Sequence, residues 1–249
     1  MKIVVIGGTG LIGSKVVSLL GGQGHETVAA SPATGVNTIT GEGVADALRG
    51  ADVVVDVSNS PSFADADVLA FFRTSTRTLI DAATGAGVRH YVALTVVGTR
   101  RLAESGYFRA KVEQENLIAA SGLPYSLVHA TQFFEFAGGI AEGGARDGTI
   151  HLSGASVRPV AAADVAATVA AVAAGPPRGG ALEVAGPEVL GLDEWIRAVL
   201  VARGDTREVV TDPEAGYFGA RLRQDSLLPG PGAEIVPTRL ADWLAAEQR

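Results

Sequence analysis

Through the first half of this 249-residue chain, apolar positions alternate between two patterns. Ile3-Val4-Val5-Ile6 is a continuous apolar run, as expected of a strand buried on both faces. Leu11, Ile12, Val16, Val17, Leu19 and Leu20 then follow a helical period, closed by Gly21, Gly22 and Gly24. Glu26–Ala30 reads as a second strand, Val36–Thr40 as a short polar third, and Val44–Arg49 as a short helix. Asp52–Val57 is a strong buried strand. A long helix is predicted over about Ala64 to Ala86, with Val68, Phe71, Phe72, Leu79 and Ile80 inward. The strand His90–Thr95 follows, then a helix over Tyr107–Ser121 stopped by Gly122 and Pro124, then the strand Tyr125–His129.

Strands alternating with helices predict a parallel sheet covered on both faces, because parallel neighbours need right-handed crossovers. Past about residue 130 the pattern loosens. Short strands are predicted near Ile150–Leu152 and Leu182–Val184, and helices at Asp164–Ala174 and Asp193–Ala202. The expected organisation is one doubly wound α/β domain. Its core covers about 1–132 plus 150–175, and a small C-terminal cap covers about 133–149 and 176–249.

Composition narrows the chemistry. With 27 acidic and 20 basic side chains the net charge is −7, which disfavours binding to nucleic-acid phosphates. The absence of cysteine removes disulfides, thiol catalysis and cysteine-ligated metals. His25, His90, His129 and His151 show no ligand spacing, so no metal is expected; His25 and His90 precede strands and read as turn or surface residues. The apolar start breaks at Gly7, too early for an export signal. The alanine-rich stretch Ala161–Ala174 is shorter than the ~20 residues of a membrane span. A cytoplasmic protein is expected, with a small-molecule substrate as partner, neither nucleic acid nor membrane, and self-association left open.

The strongest motif is Gly7-Gly8-Thr9-Gly10-Leu11-Ile12-Gly13, set between a buried strand and a helix. A dinucleotide pyrophosphate must approach backbone closely, and the helix N-terminus offers it free N–H groups. Gly13 is expected to let the helix pack close to the sheet. A P-loop is disfavoured, since Gly13-Ser14-Lys15 exchanges the lysine and serine that a triphosphate site needs. At the end of the second strand, Ala29-Ala30-Ser31-Pro32-Ala33-Thr34 carries no acid to repel a 2′-phosphate and no arginine to bind one. With Ser31 and Thr34 as candidate donors, NADP(H) is weakly favoured over NAD(H).

Tyr107 and Lys111 stand four apart, on one helix face. Such a pair suits carbonyl reduction: lysine lowers the phenol pKa and holds the nicotinamide ribose, and tyrosine donates a proton to the oxygen. Thr95, at a strand end where open α/β sheets bind ligands, is a candidate for orienting the carbonyl.

The Gly7–Gly13 turn, Asp52–Val57 with Ser58-Asn59, Thr95, Tyr107 and Lys111, and Pro159-Val160-Ala161-Ala162-Ala163-Asp164-Val165-Ala166 together resemble the atypical short-chain dehydrogenase/reductase superfamily. The similarity is to its NmrA-like NAD(P)-binding branch and covers about residues 1–200. It implies a Rossmann-type fold with cofactor contacts from Gly7, Thr9, Gly10, Leu11, Ile12, Gly13, Ser31, Val57, Ser58, Asn59, Lys111 and Thr131, the last toward the nicotinamide carboxamide. Two departures touch the proton transfer. His129-Ala130-Thr131-Gln132-Phe133 lacks the Pro-Gly of many short-chain reductases, and Thr95 stands where their serine does.

Phe133, Phe134 and Phe136, with Tyr217 and Phe218, are candidates to line a substrate cleft beside Thr95 and Tyr107. The expected activity is NAD(P)H-dependent reduction of a ketone or quinone, with a bulky aromatic, polyketide-like natural product as one setting. The alternatives are a non-catalytic NAD(P)-binding redox sensor of the NmrA type, and an isomerase or lyase using the cofactor without net redox change.

Overall fold

The computed structural model describes residues 1–247. Seven parallel strands form the central sheet. They are β1 (Lys2–Ile6), β2 (Glu26–Ala30), β3 (Val53–Asp56), β4 (His90–Val96), β5 (Tyr125–Ala130), and, from far along the chain, β9 (Gly180–Ala185) and β12 (Glu234–Ile235). The order is β12-β9-β5-β4-β3-β1-β2. The first crossover leads outward to β2 and the next returns to β3, so the direction of winding reverses at β1 and β3. Open α/β sheets bind ligands beyond the strand C-termini at such a point. This is a Rossmann-like α/β fold.

Helices α1 (Leu11–Gly22) and α6 (Ala162–Ala174) cover one face, packing Val16, Leu20, Val165 and Val169 on Val5, Val55, Val92 and Val128. On the other face lie α2 (Val44–Leu48), α3 (Asp65–Gly85) and α4 (Gly106–Ala120). There Leu48, Leu79 and Ile118 meet Val4, Val54 and Tyr91. The inner strands β1 and β3 bury both faces, which accounts for their uninterrupted Val and Ile runs.

The cap contains α5 (Ala137–Gly143), β6 (Ala145–Arg146), β7 (Thr149–Leu152), β8 (Ser156–Val157), β10 (Leu190–Gly191), α7 (Leu192–Ala202), β11 (Val209–Thr211) and α8 (Leu240–Glu247). Its separate core is centred on Phe134, Trp195, Ile196 and Trp243. The boundary differs from the one expected. Residues 150–157 belong to the cap, whereas β9 and β12 extend the central sheet, because parallel pairing of β9 on β5 and of β12 on β9 satisfies their backbone groups.

The third strand is also absent. Asn37 Oδ1 accepts the N–H groups of Ile39 (2.9 Å) and Thr40 (3.3 Å), and Gly35, Gly41 and Gly43 take positive φ. This turn competes with a ladder, so the sheet ends at β2. His90 is not on the surface; it is 3% exposed and its Nε2 lies 2.8 Å from Ser126 Oγ.

Gly13 is required by close approach: a Cβ there would lie 2.1 Å from the Gly7 carbonyl oxygen and 2.7 Å from Gly8 Cα. Gly13→Ala is therefore expected to lose about 1–3 kcal/mol of stability, read as a lower midpoint in urea unfolding. An unchanged midpoint would contradict this packing.

Candidate active site

The glycine turn joins β1 to α1, and its glycines do different work. Gly7 has φ +78°, and a side chain there would press on Ser58 N at 3.0 Å. A Cβ on Gly8 would lie 2.7 Å from both Ala29 Cα and Val5 O. Gly10 is different. Its φ of −83° suits any residue, and a Cβ would meet only the Gly7 oxygen, at 3.3 Å. The first helical bond of α1 runs from Ser14 N–H to Gly10 C=O at 3.0 Å. The amides of Leu11, Ile12 and Gly13 precede it, and the N-cap position carries no side-chain cap and the first turn no acid. An uncapped helix N-terminus beside an open glycine fits a pyrophosphate. Thr9 and Leu11 are exposed there, whereas Ile12 points into the core, so it can offer only its backbone.

Ser31, at the end of β2, is buried with its hydroxyl unpartnered. That orphan hydroxyl fits a ribose or a 2′-phosphate. Thr34 Oγ1 instead donates within the chain, lying 3.0 Å from both the Ala29 and Ser31 carbonyls. Val57 and Ser58 are half-buried and Asn59 is exposed on the loop after β3. Thr131 donates its hydroxyl to the Arg158 carbonyl, an internal bond in place of the expected free amide-binding group.

Below the strand ends lies a buried polar network that spacing alone did not reveal. Lys111 is 3% exposed. Its Nζ donates to Leu94 O at 3.1 Å and to Gln114 Oε1 at 2.5 Å, and sits 4.3 Å above the Phe72 ring. Gln114 Nε2 passes the connection to Asp56 Oδ2 at 3.1 Å, and Asp56 Oδ1 accepts from Ser58 N (3.1 Å) and Ser58 Oγ (2.6 Å). Thr95 donates to Glu115 Oε1 at 2.8 Å, and His129 Nε2 lies 3.3 Å from the same oxygen. Thr95 thus has its proton committed to Glu115 and none left for a carbonyl. Burial holds His129 below the ordinary imidazole pKa, against the pull of Glu115.

Tyr107 sits one turn earlier on α4, half-buried in an aromatic cage. Its ring centroid is 5.6 Å from Phe63, 5.5 Å from Phe218, 5.6 Å from Phe108 and 6.3 Å from Phe72. Burial pushes its pKa up to about 12. The expectation that lysine lowers the phenol pKa does not hold in this arrangement, because the Lys111 ammonium is bound to Leu94 and Gln114 instead.

Tyr217 and Phe218 reach this cage through a tight turn. Tyr217 and Ala220 exchange backbone bonds of 2.8 and 3.0 Å, and Phe218 and Gly219 both have positive φ, the geometry of a type I′ turn. A phenylalanine with φ +48° is strained, and it stacks on Tyr107 with the rings tilted by 29°. The other expected substrate residues lie apart. Phe134 is 1% exposed against Trp195 and Trp243 in the cap core, and Phe133 and Phe136 pair with each other at 5.2 Å. Phe63 was not anticipated; it lies in a loop with no periodicity to mark it. Two surface hollows, of about 390 and 430 Å³, lie away from these residues. One is at Arg203 and Leu244, the other between α6 and β12.

The sequence pattern of the NAD(P)H-binding family matches residues 7–176, spanning the glycine turn, Tyr107, Lys111 and α6. The chain belongs to this family. Among curated proteins, it is 26% identical over 149 residues to the photosystem II assembly factor Ycf39 of Cyanophora paradoxa. That match takes in 54% of this chain and 46% of the relative, so the chain spans about half the relative's length. Solved structures of the same fold include a new type of NADPH-dependent quinone oxidoreductase from Escherichia coli. It has a TM-score of 0.68 and 18% identity, over 99% of this chain and 100% of that one. Another is the Bordetella bronchiseptica enzyme WbmH in complex with NAD⁺, with a TM-score of 0.73 and 18% identity, over 98% and 96% of the two chains. Solved structures that share this fold thus include an oxidoreductase and an epimerase. Among the described residues no helix is long and apolar enough to cross a membrane.

Burial lowers the Lys111 pKa from 10.5 to about 8, with Asp56 and Glu115 opposing. Between those values the unfolded chain holds the proton that the native protein has lost, so stability rises with pH across that window. Relative to Lys111→Met, the protein is expected to gain about 2 kcal/mol of unfolding free energy from about pH 7 to 9.5. Urea unfolding across that range measures it, and parallel pH curves for the two proteins would contradict it.

Proposed function

We propose that this protein is an NAD(P)H-dependent reductase of a ketone or quinone carbonyl on a flat aromatic ring, with Tyr107 as proton donor. The observation that carries this reading is the cage around Tyr107. Its phenol is kept protonated by burial and lies among ring faces suited to a planar substrate. The bound cofactor supplies the hydride to the carbonyl carbon. Tyr107 holds the matching proton at its hydroxyl oxygen and delivers it as negative charge develops on the substrate oxygen; the alkoxide of a ketone is far more basic than a phenolate and takes the proton fully, whereas the oxygen of a reduced quinone is itself a phenolate and takes its final proton in exchange with solvent. Solvent then returns a proton to the tyrosine. Phe63 and Phe218 flank the phenol and narrow its access to water. Lys111 acts from a distance, anchoring α4 to the ends of β3 and β4 through Leu94, Gln114 and Asp56. Gly7–Gly13 and the half-buried Ser58 would hold the pyrophosphate side of the cofactor, and Ser31 its adenosine ribose. With no acid in 31–34, NADPH is the favoured form.

A second reading, a dinucleotide-dependent sensor or assembly protein without turnover, is favoured by two observations. One is the bonding of Lys111 to Leu94 and Gln114 in place of an effect on the Tyr107 pKa; the other is the similarity to an assembly factor. The two readings separate in one assay. NADPH and NADH oxidation is followed with a panel of aryl ketones and quinones. Tyr107→Phe is expected to lower turnover by roughly 10²–10⁴-fold while dinucleotide affinity is unchanged. Full activity in that variant would remove Tyr107 from the mechanism. A protein that binds NADPH yet reduces nothing on the panel would favour the sensor.

A further inference from the structure

Gln132 follows β5 at the junction of sheet and cap. Its carbonyl accepts the Val160 N–H there at 2.9 Å. The residue is 5% exposed, and neither Oε1 nor Nε2 has a hydrogen-bond partner. Buried carboxamides are almost always satisfied, so this one is the exception that calls for a ligand. The Tyr217 side chain is its neighbour, with no hydrogen bond between them that satisfies either amide atom. Tyr217 packs on Phe218 at 4.8 Å and Phe218 stacks on Tyr107 at 5.5 Å, so the orphaned amide lies at the edge of the aromatic cage that holds the phenol assigned to proton transfer.

A carboxamide offers an acceptor and a donor. A ligand carrying carbonyl oxygens alone can pair with the N–H and must leave Oε1 buried and unpaired, a deficit worth about tenfold or more in affinity. A hydroxyl supplies a proton to Oε1 and a lone pair to Nε2. We propose that Gln132 is a specificity-determining residue that binds a hydroxyl group carried by the substrate near its reacting carbonyl. The site thereby selects hydroxy-ketones and hydroxy-quinones over the unsubstituted compounds. This rests on the reductase reading for its substrate class, and the two fail in different ways.

The test uses 1,4-naphthoquinone and its 5-hydroxy and 6-hydroxy derivatives. Binding is measured by calorimetry with oxidised cofactor present, and turnover separately with NADPH. The wild-type protein is expected to bind the better hydroxy derivative about tenfold more tightly than the parent. Gln132→Leu and Gln132→Met are expected to abolish that preference by weakening the hydroxylated ligand alone. Both variants should keep or raise Tm, since the native side chain makes no bond. The inference is overturned if the wild type shows no preference, if the variants retain it, if neither ligand binds, or if both variants lose Tm and weaken both ligands equally. Preference in binding without turnover upholds the role of Gln132 and removes the reductase reading. Turnover without preference does the reverse.

Discussion

The rest of the structure depends on close approach of bare backbone at the first turn. α1 can rest on the turn only because Gly13 has no side chain beside the Gly7 carbonyl, and the turn can rest on the loop after β3 only because Gly7 has none beside Ser58. From Ser58 the connection continues through Asp56 and Gln114 to Lys111. The glycine turn, the β3 edge and α4 are thereby held as one platform. A site that must align a dinucleotide with a proton donor needs such rigidity, because small misplacements lose the benefit of orientation.

On that platform the site has a polar floor and an aromatic roof. The floor collects two carboxylates, a lysine and a histidine in a buried setting; the carboxylates and the lysine are hydrogen-bonded, and His129 Nε2 lies 3.3 Å from Glu115 without a hydrogen bond. The roof joins Phe63 from the β3–α3 loop to Phe218 from the cap, which meet at 5.4 Å over Tyr107. Desolvation by this roof keeps the phenol protonated. The positive φ of Phe218 is a cost of roughly 1–3 kcal/mol, and a bulky ring is retained there nonetheless, where glycine or asparagine would relieve it.

Much of this was legible in the sequence, and the limits follow from range. The buried runs of β1 and β3 and the glycine turn express local patterns, and the doubly wound sheet follows from them. The missing third strand turns on one side chain: Asn37 draws the backbone into a turn that an apolar count cannot see. β9 pairs with a strand 54 residues earlier, so no local pattern places it in the central sheet. Tyr107 and Lys111 share a face as spacing implies, but their electrostatics depend on Leu94, Gln114 and Phe72, which no helical period relates to them. The run Phe133–Phe136 looked like a cleft wall, yet Phe134 serves the cap core. The orphaned amide of Gln132 beside it is visible only once burial is known.

The central claim is that the first turn holds the dinucleotide through backbone exposed at Gly10. Gly7, Gly8 and Gly13 are unsuitable for testing it, because side chains there strike other backbone. A Cβ on Gly10 would press only on the Gly7 oxygen, at 3.3 Å, and its φ is ordinary, so of the four glycines Gly10→Val disturbs folding least. The measurement is calorimetric titration of the wild-type and Gly10→Val proteins with NADPH and NADH. The account predicts one dinucleotide per wild-type chain, and affinity lowered at least about tenfold in the variant at unchanged Tm, from obstruction of a close phosphate contact. Equal affinity in the two proteins would contradict it.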